Sequence, residues 1–367
     1  MKKLTYVSVD NFLDVDLPIV KELNKTYKLH WILYYQTHST RMFSREEVIQ
    51  FVSENSIDIQ IIDIHCRFSN PKLLKIAWQT IKMIRKWKPD IIYFQTFIDP
   101  YLPLLVRLML PVNRVVVAVH DVILHKKFSS LPGVLFHNLV LAIFHNYHLY
   151  SENQVDIFKR MHKSKNILVA HLYLKDFGKP KGLIQKNSDF VNFLFFGSIR
   201  HNKGLEFLIE AGNMLARDFN NFKITIAGNT SEPEYYQNKI LFPDRFKVRF
   251  EIIPNSEIAD YFTNSDFLVL PYRDVTQSGP LLISYNYNLP VIASDFSGFR
   301  EYIVHGYNGL LFEPNNPLEL YKTLRTVAES SPEEIETYKQ NLKTFVKKEI
   351  NLENIIAKYI HFFNQLQ

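Results

Sequence analysis

The sequence predicts an α/β protein with two doubly wound domains. Strand-like apolar runs alternate with helix-like amphipathic segments along the whole chain, which is typical of βαβ units and a parallel sheet. A polar stretch, Lys175–Asp189, interrupts this alternation, and the same rhythm restarts at Val191. The length of 367 residues also fits two domains. We therefore predict an N-terminal domain over 1–180, a C-terminal domain over 181–345 and a last segment, 346–367, that returns to the first domain as a helix.

The N-terminal half contains six apolar runs of strand length. These predicted strands are Leu4–Val9, Leu29–Tyr35, Ile57–Ile64, Ile91–Phe94, Val115–Val119 and Tyr147–Tyr150. Helical patterns lie between them, for example over Leu73–Lys86 and Leu102–Leu110. Folds of this kind bind ligands at the carboxyl ends of their strands, so the residues that follow each strand are candidates for function.

The C-terminal half repeats the same alternation. Its predicted strands are Val191–Phe196, Lys223–Ala227, Val248–Ile253, Phe267–Pro271 and Val291–Ser294. Its predicted helices are Leu205–Leu215, Glu257–Thr263, Leu281–Asn286 and, at the end of the chain, Leu352–Leu366. The last of these has apolar residues at helical spacing, so we expect it to pack back on the body of the protein.

Composition indicates a cytoplasmic protein. Cys66 is the only cysteine, so no disulfide can form within the chain, which fits a reducing compartment. Asp10, Asn11 and Asp14 stand where a signal peptide would need an apolar core, so we expect no export signal. The most apolar segment, Val134–Tyr150, is too short and too polar to span a bilayer.

Positive charge is concentrated in the N-terminal half. Residues 1–180 hold 24 Lys and Arg against 15 Asp and Glu, a balance of +9, whereas 181–367 hold 19 against 22, a balance of −3. Such charge favours an anionic partner, for example a membrane surface or a lipid-linked phosphate, and the alternative is an ordinary solvated surface. No zinc-ligand spacing or nucleic-acid-binding signature accompanies it, so we expect no nucleic-acid partner.

The strand that ends before Gly197 is followed by an anion-binding pattern. A short polar turn delivers Arg200 and Lys203, and Gly204 then opens a helix. Glycine lets the backbone approach a ligand closely, helix-start N–H groups attract anions, and the two cations suit a diphosphate. The alternative is a βα turn with two surface cations.

A second helix start follows the strand that ends at Pro271. The amides of Ser278 and Gly279, with Pro280 at the start of the helix, again suit an anion, and the neutral side chains of Thr276 and Gln277 suit sugar hydroxyls. The alternative is a buried helix that Ser278 caps.

A third candidate follows the predicted strand Val115–Val119. This strand delivers His120 and Asp121 to the functional edge of the sheet, where His120 could bind a substrate or move a proton and Asp121 could orient its ring. The alternative is a histidine that only caps the sheet.

Several segments together resemble glycosyltransferase family 4. They are "FGSIRHNKGLEFLIEA", "ITIAGN", "SDFLVLPY" and "PVIASDFSGFREYIVHGYNGLLFEP", in that order. The resemblance covers about 190–330 closely and the N-terminal half loosely, mainly at the His120–Asp121 strand end. It implies a retaining, nucleotide-sugar-dependent transferase with the GT-B fold, in which two Rossmann-like domains face a central cleft.

The resemblance also implies roles for individual residues. Arg200 and Lys203 match the cations that hold the donor diphosphate, and His120 matches a histidine beside the transferred sugar. The predicted donor side comprises Gly197, Ser198, Ile253, Pro254, Gln277, Ser278, Gly279, Pro280, Ile283 and Glu301. The predicted acceptor side comprises Asn11, Asp14 and Asp121.

The chain departs from the family pattern at the second helix start. Family members usually carry two glutamates there, and the corresponding positions in this sequence are Ile283 and one within Val275–Gln277. Neither position is acidic, and Asp295 is the first carboxylate of the stretch Thr276–Gly298. A retaining front-face mechanism needs no carboxylate nucleophile, because the departing diphosphate can accept the acceptor proton. The loss therefore affects donor affinity and specificity more than catalysis.

These observations predict an enzyme that transfers a sugar from a UDP- or GDP-linked donor to an acceptor held by the N-terminal domain. The basic N-terminal half suggests a lipid-linked saccharide acceptor at the inner membrane face, as in bacterial surface polysaccharide assembly. No Asp-x-Asp motif stands at a predicted strand end, so we expect neither a metal nor another cofactor. The rival hypotheses are a catalytically inactive nucleotide-sugar-binding subunit and a nucleotide-sugar epimerase on the same fold.

Overall fold

The computed structural model divides the chain into two compact units. It describes residues 1–36, 43–65, 70–123, 131–163, 165–184, 189–275 and 277–366. The N-terminal unit comprises Met1–Tyr173 and Leu352–Gln367, and the C-terminal unit comprises Leu174–Asn351. Cys66 and Thr276, both used in the predictions above, lie outside the described residues. No described helix has the length and apolar content needed to cross a membrane.

The N-terminal unit is built on a parallel sheet of seven described strands. They are β1 (Lys3–Val9), β2 (Lys28–Gln36), β3 (Asp58–Ile64), β4 (Ile91–Phe94), β5 (Val115–Val119), β6 (Asn146–Leu149) and β7 (Asn166–Val169). Their order across the sheet is β3-β2-β1-β4-β5-β6-β7, with every neighbouring pair parallel. The chain order reverses between β1 and β4, which makes their carboxyl ends the switch point where such sheets bind ligands.

Helices cover both faces of this sheet. They are α1 (Leu13–Thr26), α2 (Arg45–Glu54), α3 (Lys72–Trp87), α4 (Tyr101–Met109), α5 (Leu131–Ile143) and α6 (Asn153–Met161). Helices α3 to α6 share one core cluster with alternate strand residues, through side chains such as Ile81, Val106, Leu141 and Phe158. No described residue of α1 or α2 belongs to this cluster. Because parallel crossovers are right-handed, α1 and α2 cover the opposite face.

The C-terminal unit repeats this arrangement with six described strands. They are β8 (Val191–Phe196), β9 (Phe222–Ala227), β10 (Phe246–Arg249), β11 (Phe267–Leu270), β12 (Val291–Ser294) and β13 (Gly309–Phe312). Their order is β10-β9-β8-β11-β12-β13, and all neighbouring pairs are parallel. The switch point therefore lies at the carboxyl ends of β8 and β11.

Seven described helices complete the C-terminal unit. They are α7 (Leu205–Asp218), α8 (Pro233–Gln237), α9 (Asn255–Thr263), α10 (Gly279–Asn286), α11 (Ser297–Arg300), α12 (Pro317–Ala328) and α13 (Pro332–Glu349). Helices α7 and α12 bury Leu208 and Leu320 against the sheet in one core cluster. Helix α13 begins with a capping box, in which the Ser331 hydroxyl accepts from the Glu334 amide and the Glu334 carboxylate accepts from the Ser331 amide.

The last helix, α14 (Leu352–Gln365), packs on the N-terminal unit. The Tyr359 hydroxyl lies 3.2 Å from Nδ1 of His148, and the Tyr93 hydroxyl lies 2.7 Å from the same atom. Burial lowers the pKa of His148 to about 3, so its ring is neutral at pH 7. The return of the final helix to the first domain was predicted from the sequence and is confirmed.

The predicted class of two doubly wound α/β domains is also confirmed, whereas two strands were not predicted and one predicted strand needs correction. Two short strands at the sheet edges, β7 and β13, were not predicted, and their pairing with β6 and β12 reveals them. The predicted strand Val248–Ile253 is wrong, since β10 ends at Arg249. The carbonyl of Arg249 accepts from the Gly228 amide, and the apolar residues after it form a loop in which Ile252 is exposed.

Asp16, like Asp10 and Asp99, is a buried acid of the N-terminal unit. Asp16 lies fully buried on α1, and its Oδ1 accepts a 2.7 Å hydrogen bond from the Tyr6 hydroxyl. Burial raises the pKa of Asp16 to about 8, although the hydrogen bond from Tyr6 acts in the opposite direction. Asp16 is therefore mainly a neutral carboxylic acid at pH 7.

We expect Asp16 to make folding pH-dependent. Its pKa in the unfolded chain is about 4, so between about pH 4 and pH 8 the folded state holds a proton that the unfolded state has lost. The free energy of unfolding should thus fall as the pH rises through this window, by at most about 1.4 kcal/mol per pH unit. Urea unfolding at several pH values measures this slope.

Two variants isolate the contribution of Asp16. Asp16→Asn keeps the size of the side chain and cannot ionise, so its stability should vary less with pH than that of the wild type. Asp156→Asn, on the exposed surface of α6, is the control and should leave the profile unchanged. Equal slopes for the wild type and Asp16→Asn would contradict the prediction.

Candidate functional site

The turn after β8 is held against the end of β11 by a close backbone approach. Gly204 has a left-handed φ of +60°, and a Cβ atom on it would stand 2.0 Å from the carbonyl oxygen of Pro271. Only glycine fits there, because the Pro271 carbonyl is backbone and cannot move aside cheaply. The segment that carries Arg200 and Lys203 is therefore fixed at the switch point.

The same turn touches the start of α10. Gly197 has a φ of +109°, and a Cβ atom on it would lie 3.3 Å from Cγ of Pro280. The Gly197 amide donates to the carbonyl of Ala227, which anchors the turn to the end of β9. The structure thus brings together two segments that the sequence singled out separately, the turn after β8 and the helix start at Gly279–Pro280.

The side chain of Lys203 lies over an aromatic ring at this edge. Its Nζ is 3.8 Å from the ring centroid of Tyr272, which is almost completely buried. The Tyr272 hydroxyl lies 3.4 Å from Oγ of Ser278, the residue that precedes α10. A cation–π contact and one hydrogen bond therefore link the lysine to the helix start. Arg200 and Ser198, on the same turn, are exposed.

Arg273 holds the turn from the other side and was missed in the sequence. Its amide donates to the carbonyl of Asn202 (2.9 Å), and its Nε donates to the carbonyl of His201 (3.2 Å). Its guanidinium also bonds the carboxylate of Glu206 and stacks 4.2 Å from the ring of Phe207. Arg273 thus stabilises the conformation of the turn. This role is visible only in its contacts with residues distant in the sequence.

The start of α10 carries polar groups suited to a ligand. Ser278 is at the N-cap position, but its side chain makes no capping hydrogen bond, so it does not cap the helix as the alternative interpretation required. Nε2 of Gln277 is buried and has no hydrogen-bond partner among the described residues. A buried amide donor without a partner is costly, and an acceptor oxygen on a bound molecule would satisfy it.

A third cation, Lys175, also lies at this helix start. Its Nζ is 3.6 Å from the position that a Cβ atom on Gly279 would occupy. The segment is tied to α10, since the Phe177 amide donates to the Tyr287 hydroxyl at 2.8 Å and Asp176 accepts from Asn286 at 3.2 Å. The sequence placed Lys175 in a linker, and no local signal could connect it with a helix start 104 residues later.

The other predicted donor-side residues differ in their exposure to solvent. Ile253 is buried and Pro254 is exposed, both in the loop that leads into α9. Ile283 is buried within α10, and Glu301 is half-buried just after α11. No contact described in the structure tests their predicted roles, which therefore stay predictions.

Asp295, the first carboxylate after Thr276, is engaged by an arginine. Arg300 donates to both of its carboxylate oxygens, at 2.6 and 2.8 Å. These hydrogen bonds hold the pKa of Asp295 below its ordinary value. Asp295 is therefore ionised and paired with Arg300. This pairing is a structural role that requires no part in catalysis.

In the N-terminal unit, His120 follows β5 and lies between two aromatic rings. Its ring centroid is 4.4 Å from that of Phe12 and 4.7 Å from that of Tyr150, and both pairs are stacked. The His120 carbonyl accepts from Nε2 of Gln154 at 3.0 Å. The sequence predicted the strand-end position, but it gave no sign of Phe12, which lies in a short 3-10 helix, Asp10–Phe12, after β1.

The predicted acceptor-side residues lie at the carboxyl edge of the same sheet. Asn11 is exposed immediately after β1, and Asp14 is in the first turn of α1. Asp121 and His120 line a cavity of about 260 Å³, whose other walls include Phe97 and Leu141. The cavity is thus largely apolar, with His120 and Asp121 at the strand end.

The clearest sequence similarity to known proteins lies in the C-terminal unit. Residues 191–330 match the family model described as "Glycosyl transferases group 1". The chain is 26% identical over 203 residues to the "Uncharacterized glycosyltransferase MJ1069" of Methanocaldococcus jannaschii, which covers 53% of this chain and 50% of the relative. The chain therefore spans about half the length of the curated relatives it matches.

Solved structures resemble the whole chain. Sucrose-phosphate synthase of Thermosynechococcus elongatus has a TM-score of 0.75 at 14% identity, with 100% of this chain and 99% of that chain covered. Alr3699/HepE of Anabaena, in complex with UDP, has a TM-score of 0.71 at 14% identity, with both chains covered completely. These likenesses confirm the predicted GT-B fold of two Rossmann-like domains.

We expect Gly204→Ala to destabilise the C-terminal unit strongly. The new Cβ would meet the Pro271 carbonyl, so the turn must move and the free energy of unfolding should fall by about 3 kcal/mol or more. The control is Gly178→Ala, where φ is also positive (+79°) but no atom lies within 4 Å, so the cost should be about 1 kcal/mol. Urea unfolding of both variants measures the difference, and equal losses would contradict the close-approach argument.

Proposed function

We propose that this protein is a retaining glycosyltransferase that takes its sugar from a nucleotide diphosphate donor bound at the carboxyl edge of β8 and β11. One observation carries the proposal: the turn bearing Arg200 and Lys203 and the start of α10 converge at the switch point of the C-terminal sheet. The match of residues 191–330 to the glycosyl transferase group 1 model supports it.

Charge and hydrogen bonding at this edge suit a diphosphate. Arg200, Lys203 and Lys175 supply positive charge, and the amides at the start of α10 add the positive end of a helix dipole. The buried Nε2 of Gln277 would donate to a hydroxyl of the sugar. The proposed donor site thus consists of cations, amides and one neutral side chain.

The proposed reaction proceeds on one face of the sugar. The acceptor hydroxyl oxygen forms a bond to the anomeric carbon, and the bond from that carbon to the diphosphate oxygen breaks. The acceptor proton moves to the departing diphosphate, whose growing negative charge Arg200 and Lys203 stabilise. Neither step requires the paired glutamates that are replaced at Ile283 and at 275–277 in this sequence.

We propose UDP or GDP as the nucleotide and a lipid-linked saccharide as the acceptor, in the assembly of a bacterial surface polysaccharide. UDP is the nucleotide bound to the similar Anabaena protein, which supports the choice of nucleotide. The excess of positive charge in 1–180 supports a lipid-linked acceptor. The acceptor would bind in the N-terminal unit, with His120 and Asp121 beside the apolar cavity.

We expect the true donor nucleotide to raise the melting temperature of the protein, because a ligand that binds only the native state stabilises it by mass action. A thermal-shift screen of nucleotide diphosphates and their sugars should therefore single out UDP or GDP. Arg200→Ala, Lys203→Ala and Lys175→Ala should each weaken donor affinity by about tenfold to a hundredfold, since each removes a charge-assisted hydrogen bond.

The control for these variants is Lys322→Ala, an exposed lysine on α12 that pairs with Glu319. It should leave donor affinity unchanged. Donor hydrolysis without an acceptor then separates the alternatives: release of nucleotide diphosphate supports the transferase, whereas tight binding without turnover supports a binding subunit. Interconversion of donor sugars with no net release would support an epimerase instead.

We also expect transfer to proceed without a metal ion. The proposed site neutralises the diphosphate with protein cations and amides, a task that a divalent metal performs elsewhere. Incubation with EDTA should thus leave the initial rate unchanged. The prediction fails if EDTA abolishes transfer and added Mg²⁺ or Mn²⁺ restores it.

A further inference from the structure

One face of the N-terminal unit exposes apolar side chains in a regular pattern. This basic-apolar face consists of the outward surfaces of α3, α4, α5 and α6, which cover the same side of the sheet. Each of the four helices exposes large apolar residues four positions apart. They are Leu74 and Trp78 on α3, Leu104 and Leu108 on α4, Leu131, Leu135 and Leu139 on α5, and Ile157 and Met161 on α6. Residues at this spacing lie on one side of a helix, so each helix presents an apolar stripe.

The charges on the same helices are almost all positive. Helices α3 to α6 carry eight exposed cations and a single acid, Asp156. The cations are Lys72, Lys75, Lys82, Arg85, Lys86, Arg107, Lys159 and Arg160. Helix α5 has no charged residue at all. A typical solvated surface interleaves both signs of charge, and this face does not.

The helices elsewhere on the unit provide an internal comparison. Helices α1, α2 and α14 carry four cations and, apart from the fully buried Asp16, six acids, which is the reverse balance. Among their described residues, Ile49 is the one large apolar side chain that is exposed. Apolar exposure and positive charge are therefore segregated on a single face, which indicates a specific partner for it.

We infer that the basic-apolar face docks on the surface of an anionic lipid bilayer. The apolar stripes would enter the boundary between headgroups and acyl chains, and the flanking Lys and Arg would attract anionic headgroups. A second copy of the chain is a poorer occupant, since two faces with the same strong positive charge repel each other. The inference makes no use of the proposed glycosyl transfer.

Helix α3 illustrates how the two kinds of residue cooperate. The Lys82 ammonium lies 5.7 Å from the ring centroid of Trp78, so a cation and an aromatic ring share one patch. Tryptophan favours the membrane interface because its ring is amphipathic, and lysine extends its charge toward the headgroups. Since no described helix is long and apolar enough to cross a bilayer, the helices would lie in the interface plane.

The test is co-sedimentation of the full chain with vesicles. One set consists of phosphatidylcholine alone, and the other of phosphatidylcholine mixed equally with phosphatidylglycerol. The wild type should sediment with the anionic set, and its binding should weaken as salt is added. No nucleotide is present, so a failure here leaves the donor-binding experiments unaffected.

Matched variants locate the surface. Lys82→Gln with Lys86→Gln should weaken binding roughly 25-fold, since each cation near an anionic surface contributes about fivefold. Lys21→Gln with Lys25→Gln, on α1, has the same spacing and the same change in net charge, and it should have little effect. Leu135→Gln (61% exposed) should weaken binding about tenfold, whereas Ile49→Gln (52% exposed) on α2 should not.

Several outcomes would overturn the inference. They are absence of sedimentation with anionic vesicles, equal sedimentation with neutral vesicles, and equal losses in the α1 and α2 controls. If vesicle binding is absent and Leu135→Gln instead changes the oligomeric mass measured by light scattering, the face is an interface between copies. All variants should keep the wild-type unfolding midpoint, because every substituted side chain is exposed.

Discussion

The candidate site depends on the contact between Gly204 and the carbonyl of Pro271. It joins the segments that follow the two strands on either side of the switch point, and it does so through backbone atoms. The turn from Gly197 to Gly204 therefore has little freedom once the sheet has formed. Cations on a fixed turn bind an anion with less loss of conformational entropy than cations on a loose one. The contact explains why Lys203 lies over Tyr272.

A second constraint is electrostatic. Two carboxylates near the same edge are paired with arginines: Glu206 bonds Arg273, and Asp295 bonds Arg300. Oδ1 of Asp274 accepts a hydrogen bond from the side-chain nitrogen Nδ2 of Asn202 at 3.3 Å. The acids thus shape the turns that flank the site, while Lys175 and Lys203 stay at its opening. An edge that carries Arg200, Lys203 and Lys175 suits the binding of phosphate groups.

The sequence predicted those parts of the fold and site that have a local signal. The turn at Gly197–Gly204 was predicted because the strand, the cations and the helix that define it are contiguous. Lys175 and Arg273 could not be predicted in this way, since each acts through contacts with residues distant in the chain. The same holds for Phe12 against His120, which joins the ends of two strands that β4 separates in the sheet. Local pattern thus pointed to two candidate edges, and tertiary packing determined which side chains lie beside them.

The uneven charge of the sequence acquires a structural explanation. The excess of positive charge in the N-terminal half could reflect a uniformly basic surface. In the N-terminal unit, however, acidic and basic residues lie on different helices. Helices α1, α2 and α14 are acidic on balance, whereas α3 to α6 are strongly basic and expose apolar residues. Solubility alone would not require this separation, because mixed charge on every helix would serve it equally well. The separation is instead the pattern expected when one side of a domain must meet an anionic, partly apolar surface and the other side must remain in water.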